Sequence, residues 1–198
     1  MINDRPVRFP ILQSGLHWGL NSLCVLLLLE AMDVDLDTGM AALSAFEPLA
    51  GRGAEKTIHI PGGEFTLVDE SYNANPIAMA AALKSLGARK VPGRRIVALT
   101  DMLELGPDGP AFHAALAEPI EAANVDLVFL AGPQMKSLWQ ALPPTRRGAY
   151  AETAAELSPR VASAVEPGDV VMVKGSNGSR AGAIAAALAA LDRAGAGG

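Results

Sequence analysis

Short apolar runs alternate with longer stretches rich in alanine and leucine from about residue 64 onward. The stretches between the runs predict helices at 76–86, 110–123, 133–141, 154–165 and 179–194. The runs themselves predict strands at 65–68, 95–100, 126–131 and 169–174, with a weaker candidate at 149–152. The first three strands begin at residues 65, 95 and 126, and this spacing is typical of strand–helix–strand units. The pattern therefore predicts an α/β fold with a mostly parallel sheet and helices on both faces.

The first 50 residues have a different pattern. An apolar stretch at 15–32 predicts a long buried helix, and 37–45 predicts a short helix that Asp35 or Asp37 caps. Two helices cannot bury their apolar faces alone. Residues 1–50 are therefore expected to be the end of a larger, incomplete domain.

The sequence also predicts an apolar patch on the first region and a hairpin that follows it. Leu20, Leu23 and Leu27 are expected to pack against the rest of the incomplete domain, which would leave an apolar patch on this chain. Alternation of apolar and polar residues at 57–66 predicts a β-hairpin around Gly62 and Gly63, because glycines supply the positive φ angles that a two-residue turn needs. The second domain is accordingly expected at 51–198.

Composition narrows the class of protein. Half of the 198 residues are hydrophobic and 19% are charged, which is a globular balance. With 16 Lys and Arg against 21 Asp and Glu, the net charge is −5, and no basic cluster predicts a nucleic-acid partner. The longest apolar run, 23–29, is far shorter than the roughly 20 residues of a membrane span. The single cysteine, Cys24, is expected to be buried, and a cytoplasmic location is expected.

Polar residues follow the strand at 65–68 immediately. The segment is Asp69-Glu70-Ser71-Tyr72-Asn73-Ala74-Asn75-Pro76. Asn75 is a candidate helix cap, with Pro76 in the first turn of the helix. One interpretation is an ordinary capped loop. The other is a ligand-binding loop whose acidic pair accepts hydrogen bonds from hydroxyl groups such as those of a ribose.

Two later strands also end in chemically notable loops. The loop 100–106 holds Asp101 and Glu104, which are either ligands for a metal or an ammonium group or solvated carboxylates of a turn. The loop 174–180 is rich in glycine and precedes a helix, and Lys174 and Arg180 add positive charge. It is either an anion site for a carboxylate or phosphate, or a simple glycine turn. It matches neither the P-loop pattern nor the dinucleotide fingerprint.

The histidines give no metal-ligand pattern. His17, His59 and His113 lack the spacing that zinc sites use. His59 is expected to point out of the hairpin, and His113 to lie on a helix surface. No metal site is predicted in this chain.

The three loops, in this order and at this spacing, resemble those of the Mur ligase family, the ATP-dependent ligases that build the stem peptide of peptidoglycan. Within the family the likeness is to the enzymes that add D-alanyl-D-alanine to UDP-N-acetylmuramoyl-tripeptide, and residues 69–76 are the most specific match. Gly15-Leu16-His17 with Asn21, and Gly51-Arg52, resemble the end of the family's central ATPase domain. The resemblance implies that residues 1–50 are the end of that central domain. Residues 51–198 would then be the Rossmann-like carboxy-terminal domain.

The resemblance also implies roles for individual residues. The side chains implied to contact or shape the ATP site are His17, Asn21, Arg52, Asp69, Glu70, Tyr72, Asn73 and Asn75. Among them Asn21 would contact the adenine, although Trp18 stands beside His17 where many relatives carry asparagine. The residues implied to receive D-alanyl-D-alanine are Lys174, Gly175, Ser176, Asn177, Ser179 and Arg180. Asp101 and Glu104 would face the same cleft, and no catalytic residue is assigned.

Several features of an ATP-hydrolysing site are absent from this sequence. The 198 residues contain no P-loop, no upstream Mg²⁺ ligands and no lysine where the family carries a carbamylated one. ATP and Mg²⁺ are thus implied for the whole enzyme, and the chain alone is expected to be inactive. Its expected partners are the small-molecule substrates and the remaining amino-terminal and central domains. Two alternatives stay open: a related Mur ligase or folylpolyglutamate synthase, or a stand-alone nucleotide- or anion-binding module without catalysis.

Overall fold

The computed structural model describes residues 7–12, 16–47 and 51–192, and the chain divides into two compact units, 1–49 and 50–198. The first unit contains α1 (Leu16–Ala31) and α2 (Leu36–Ala45). Asp35 caps α2, because its carboxylate accepts a hydrogen bond from the Thr38 amide at 2.9 Å. Both helices and one of the two expected caps agree with the sequence pattern.

Helix α1 exposes much of its apolar surface. Leu20, Leu23 and Leu27 have 54%, 39% and 47% of their surface exposed, which agrees with the predicted apolar patch but not with the prediction of a buried helix. Cys24 is exposed as well, so the expectation that it is buried was wrong. The error has a simple cause: on this helix Leu26 is fully buried, whereas the neighbouring apolar positions face outward.

The second unit is built on a six-stranded sheet. In chain order the strands are β1 (Ala54–Ile60), β2 (Gly63–Glu70), β3 (Arg95–Thr100), β4 (Leu127–Ala131), β5 (Arg147–Ala151) and β6 (Val170–Lys174). Their spatial order is β1-β2-β6-β3-β4-β5, and β1 pairs antiparallel with β2 while the other pairs are parallel. The predicted α/β class and the hairpin at Gly62–Gly63 are therefore confirmed.

Helices cover both faces of this sheet. They are α3 (Pro76–Gly87), α4 (Gly109–Ala114), α5 (Ala117–Ala122), α6 (Met135–Ala141), α7 (Ala154–Ala162) and α8 (Ala181–Ala189). Two separate hydrophobic cores result, one under α3, α5 and α6 and the other under α7 and α8. Successive residues of β3 alternate between them: Val97 and Leu99 enter the first core, and Ile96 and Ala98 enter the second.

Two predicted helices differ most from the observed ones. The single helix expected at 110–123 is divided into α4 and α5, because Pro119 has no N–H to donate to the Ala115 carbonyl. The helix expected from residue 179 begins at Ala181, after a short 3₁₀ turn at Asn177–Ser179. Among the described residues, no helix is long and apolar enough to cross a membrane.

Candidate functional site

The three polar loops of the sequence follow three neighbouring strands. The loops after β2, β6 and β3 all leave the carboxyl edge of the sheet, with the loop of β6 in the middle. Ligands bind at this edge in open parallel sheets. The structure therefore brings the three candidate loops together, although they are up to about a hundred residues apart in the chain.

Ser176 joins the three loops. Its hydroxyl accepts a hydrogen bond from the Leu103 amide at 3.0 Å and donates to the Ala74 carbonyl at 3.4 Å. The Ser176 amide donates to the Asp101 carbonyl at 3.2 Å. Gly175 beside it admits no side chain, because a Cβ there would collide with the Thr100 hydroxyl. Ser176, expected to receive a ligand, is buried and fixes the loops to one another.

Ser179 adds a second connection between the loops of β3 and β6. Its hydroxyl donates to the Ser176 carbonyl at 2.6 Å and lies 2.6 Å from the Thr100 hydroxyl. A serine hydroxyl has one proton, so Thr100 is the donor in the second bond. The loop backbone is therefore held from both ends, which is the rigidity that an anion site of backbone amides needs.

Lys174 and Arg180, the two cations of the third loop, differ in exposure. The Lys174 ammonium is buried and donates to Glu70 Oε2 at 3.3 Å and to the Asn73 carbonyl at 3.0 Å. Arg180 is exposed and adopts a left-handed conformation with φ of 60°. Lys174 thus stabilises the loop of β2, whereas Arg180 presents its charge to solvent.

Asp69 holds the segment that precedes β1. Its two carboxylate oxygens accept hydrogen bonds from the amides of Ser71 at 3.1 Å and Gly51 at 3.2 Å. Gly51 has a φ of 74° and lies so close to Tyr72 that a Cβ would be crowded. Asp69 was expected to share the ribose contact with Glu70. In the structure both carboxylate oxygens of Asp69 already bind backbone amides.

Arg52, which follows Gly51, lies over the ring of Tyr72. The distance from the guanidinium carbon to the ring centroid is 4.2 Å, and both side chains are exposed. Asn73 is also exposed beside them, while Asn75 caps α3 through a 2.8 Å bond from the Ala78 amide. The polar side chains open to a ligand here are therefore the exposed Arg52, Tyr72 and Asn73, together with the partly buried Glu70.

Asp101 lies inside the fold. It is 4% exposed, and its carboxylate accepts hydrogen bonds from the amides of Met135 at 3.0 Å and Gln134 at 3.4 Å, at the start of α6. Burial raises the pKa of this carboxyl, and the amide bonds offset only part of that rise. The structure corrects the expectation that Asp101 faces the cleft, whereas Glu104 is exposed. In the described part of the chain, no three acidic, histidine or cysteine side chains form a metal cluster.

His113 is the functional candidate that the sequence pattern missed. It was expected on a helix surface, but it is fully buried on α4. Nε2 lies 2.9 Å from the Met102 amide, and Nδ1 lies 2.6 Å from the Gly109 carbonyl. His59, by contrast, is exposed on the hairpin as expected. The prediction assumed one helix over 110–123, whereas the structure divides it into α4 and α5, so the apolar period of a single long helix does not give the buried side of α4.

The two ATP-site candidates of the first unit are less defined. Asn21 is exposed on α1, and the side chain of His17 lies outside the described residues. Asn177 of the second unit is exposed in the loop of β6. Their proposed roles stay predictions.

Known proteins resemble this chain over most of its length. Relatives named UDP-N-acetylmuramoyl-tripeptide–D-alanyl-D-alanine ligase include the protein of Rickettsia prowazekii, which is 28% identical over 178 residues, or 89% of this chain and 38% of that protein. The relative of the same name from Mycobacterium tuberculosis is 29% identical and is matched over 91% of this chain and 39% of its own length. This chain thus spans about two fifths of these relatives.

Solved structures share the fold. The MurF ligase from Thermotoga maritima in complex with ADP has a TM-score of 0.73 at 21% identity, covering 90% of this chain and 39% of that one. MurF from Acinetobacter baumannii has a TM-score of 0.74 at 23% identity, covering 93% and 39%. A family model described as Mur ligase, glutamate ligase domain, matches residues 56–177. Since that match covers more than half of the chain, the protein belongs to the Mur ligase family.

Proposed function

We propose that this chain is part of an ATP-dependent ligase that adds D-alanyl-D-alanine to UDP-N-acetylmuramoyl-tripeptide. The names of the relatives from Rickettsia prowazekii and Mycobacterium tuberculosis support this substrate pair. The ADP in the complex of the Thermotoga maritima ligase supports a nucleotide as the energy source. These features concern whole enzymes, so they support the proposal for a longer protein that contains these residues.

One observation carries the proposal: two groups of exposed polar side chains meet at the carboxyl edge of the sheet. The first group is Arg52, Tyr72 and Asn73 beside β2, and the second is Asn177 and Arg180 beside β6. A stacked guanidinium, a phenol and an amide suit the base, ribose and phosphates of a nucleotide. A rigid glycine-rich loop with an exposed cation suits a carboxylate such as that of D-alanyl-D-alanine.

The proposed reaction has two steps. A carboxylate oxygen of the tripeptide attacks the γ-phosphorus of ATP, which forms an acyl phosphate as ADP leaves. The amine nitrogen of D-alanyl-D-alanine then attacks the acyl carbon, the carbon–oxygen bond to phosphate breaks, and the nitrogen loses a proton. In this scheme Arg52, Tyr72 and Glu70 orient the nucleotide, and Arg180 with the loop of β6 orients the dipeptide.

Mg²⁺ would neutralise the phosphates in such a reaction. The described residues offer no cluster of three acidic side chains for it, and Asp101 already binds the amides of α6. The sequence has no P-loop either. We therefore propose that these 198 residues do not turn over ATP by themselves.

Calorimetry with the purified chain tests the ligand assignments. We expect Glu70→Gln to weaken ATP binding and Arg180→Ala to weaken D-alanyl-D-alanine binding, each by about tenfold, since each removes a charged hydrogen-bond partner. Arg160→Ala is the matched control, because Arg160 is exposed on α7 and bonds the Tyr150 carbonyl, away from the three loops.

The pattern of losses distinguishes the alternatives. Two results would contradict the proposal. One is weaker binding of both ligands by Arg160→Ala, and the other is no binding of either ligand by the unmodified chain. Binding of ATP alone would favour the nucleotide-binding module without dipeptide chemistry.

A further inference from the structure

The ring of His113 lies between two backbone groups and contacts both. Nδ1 lies 2.6 Å from the Gly109 carbonyl oxygen, one turn earlier on α4, and Nε2 lies 2.9 Å from the Met102 amide nitrogen. The whole residue is buried. A buried histidine whose two nitrogens both contact backbone is not a surface residue of a helix, so its place in the fold requires a different explanation.

The two partners determine the tautomer. A carbonyl oxygen only accepts hydrogen bonds, so Nδ1 carries the proton and donates it to Gly109. A backbone amide only donates, so Nε2 has no proton and accepts from Met102. The neutral ring with its proton on Nδ1 is therefore the form that satisfies both groups. A charged ring would place one N–H against another.

Met102 lies between two residues that contact the central loop. The Asp101 carbonyl accepts from the Ser176 amide at 3.2 Å, and the Leu103 amide donates to the Ser176 hydroxyl at 3.0 Å. His113 thus holds the backbone of 101–103 on one side, while Ser176 holds it on the other. Any movement at Met102 would shift both contacts to Ser176.

We propose that His113 is a positioning residue that sets the geometry of the anion-binding loop 175–180 through Met102 and Ser176. It acts from the interior and does not contact the ligand. The inference rests on the proposed function for the identity of that ligand, the carboxylate of D-alanyl-D-alanine. The contact chain itself, from His113 to Ser176, consists of bonds within the second unit.

Nuclear magnetic resonance on the full chain tests the contact chain. The ¹⁵N shifts of His113 are expected to show a neutral ring protonated on Nδ1. In His113→Asn the side-chain NH₂ replaces the Nδ1 donor, but the side chain is too short to place its oxygen at the position of Nε2. Met102 then loses its acceptor, so the Leu103 and Ser176 amides should exchange about tenfold faster. In His113→Gln an oxygen reaches the place of Nε2, so exchange should return toward the wild-type rate.

Several outcomes would overturn the proposal. They are a ring protonated on Nε2, unchanged exchange at Leu103 and Ser176 in His113→Asn, or an equal acceleration of the core amides of β4. The ring measurement is made on the wild type, so it decides even where a variant does not fold. Equal acceleration in β4 would mean that His113 supports only global stability.

A ligand titration of the same samples tests the link to function. His113→Asn is expected to bind D-alanyl-D-alanine about tenfold more weakly, with ATP affinity unchanged and with recovery in His113→Gln. Equal weakening of both ligands would contradict a local role. Failure of the wild type to bind the dipeptide would count against the proposed function, while the exchange rates would still decide the role of His113.

Discussion

Two buried aspartates, at opposite ends of the sheet, satisfy their charges in different ways. Asp169 precedes β6 at the amino edge, where Arg94 donates to both of its oxygens at 2.8 and 3.1 Å and the amides of Arg94 and Glu166 add bonds at 3.0 and 2.8 Å. Asp101 follows β3 at the carboxyl edge, where its carboxylate accepts hydrogen bonds from the backbone amides of Gln134 and Met135 at the start of α6. Asp169 thus has its own counter-ion, whereas among the described residues Asp101 is bound by backbone amides alone.

The pKa values of the two carboxyls shift in opposite directions. Burial raises the pKa of Asp169, but the hydrogen bonds from Arg94 and the two amides outweigh it, so the net pKa is lowered. For Asp101 burial dominates and the net pKa is raised. At the carboxyl edge the cations Arg52 and Arg180 face solvent instead of neutralising Asp101. This contrast fits the proposal that the carboxyl edge binds a ligand at some cost in stability, whereas the ion pair at the amino edge stabilises the fold.

The largest effect is expected from breaking the ion pair at the amino edge. Asp169→Asn should lower the free energy of unfolding by about 3 kcal/mol, the lower end for a broken buried pair, since the Arg94 side chain is 31% exposed. Urea denaturation measures this change. Glu166→Gln is the control, because that carboxylate is 67% exposed and should contribute under about 1 kcal/mol. Equal losses in the two variants would mean that the buried pair of Asp169 with Arg94 is not the source of the effect.

A smaller effect is expected at the carboxyl edge from Gly175→Ala. The added Cβ meets the Thr100 hydroxyl and the Ala181 side chain, so we expect a loss of about 2 kcal/mol from overpacking. The dipeptide affinity should fall as well, because the loop of β6 must move.

Gly182→Ala provides the comparison for that variant. A Cβ there lies at ordinary contact, 3.5 Å from the Ser71 hydroxyl, within α8. Thermal unfolding should show no loss, or a gain of up to about 1 kcal/mol from helix propensity. A loss in Gly182→Ala that matched the loss in Gly175→Ala would mean that space at Gly175 is not the cause.

The smallest expected effect is the pH dependence of the free energy of unfolding, and the test uses its sign. The stability from ionised Asp169 is present above the unfolded pKa of about 4 and is lost as the pH falls through its lowered folded pKa. The stability linked to protonated Asp101 is present below about pH 4 and is lost as the pH rises through its raised folded pKa. With rising pH, the wild type should therefore gain stability relative to Asp169→Asn and lose it relative to Asp101→Asn. Urea midpoints between acidic and neutral pH check this, and parallel slopes would contradict it.

The sheet could be predicted from sequence because its signals are local. The strands at 95–100 and 169–174 are continuous apolar runs, and the observed β3 and β6 begin within one residue of them. The position of the three loops at one edge followed from the same pattern, because parallel strands place their carboxyl ends together. The apolar period, the caps at Asp35 and Asn75 and the paired glycines all act over a few residues.

The contacts of individual polar side chains could not be predicted in this way. Whether Lys174 points to a ligand or to Glu70 depends on which strands are neighbours, and the pairing of β2 with β6 joins positions about a hundred residues apart. His113 and Asp101 were misplaced for the same reason. Their partners, Met102 and the start of α6, are defined only once the helices are packed.

The place of β6 in the sheet has a consequence for synthesis of the chain. This strand is the last of the six in sequence, yet it lies between β2 and β3 and provides the pairing surface for both. At about 5–20 residues per second, a ribosome needs several seconds to pass from β2 to β6. During that time β2 and β3 each have an unpaired edge, so the nascent domain is exposed to misassociation until its last strand emerges.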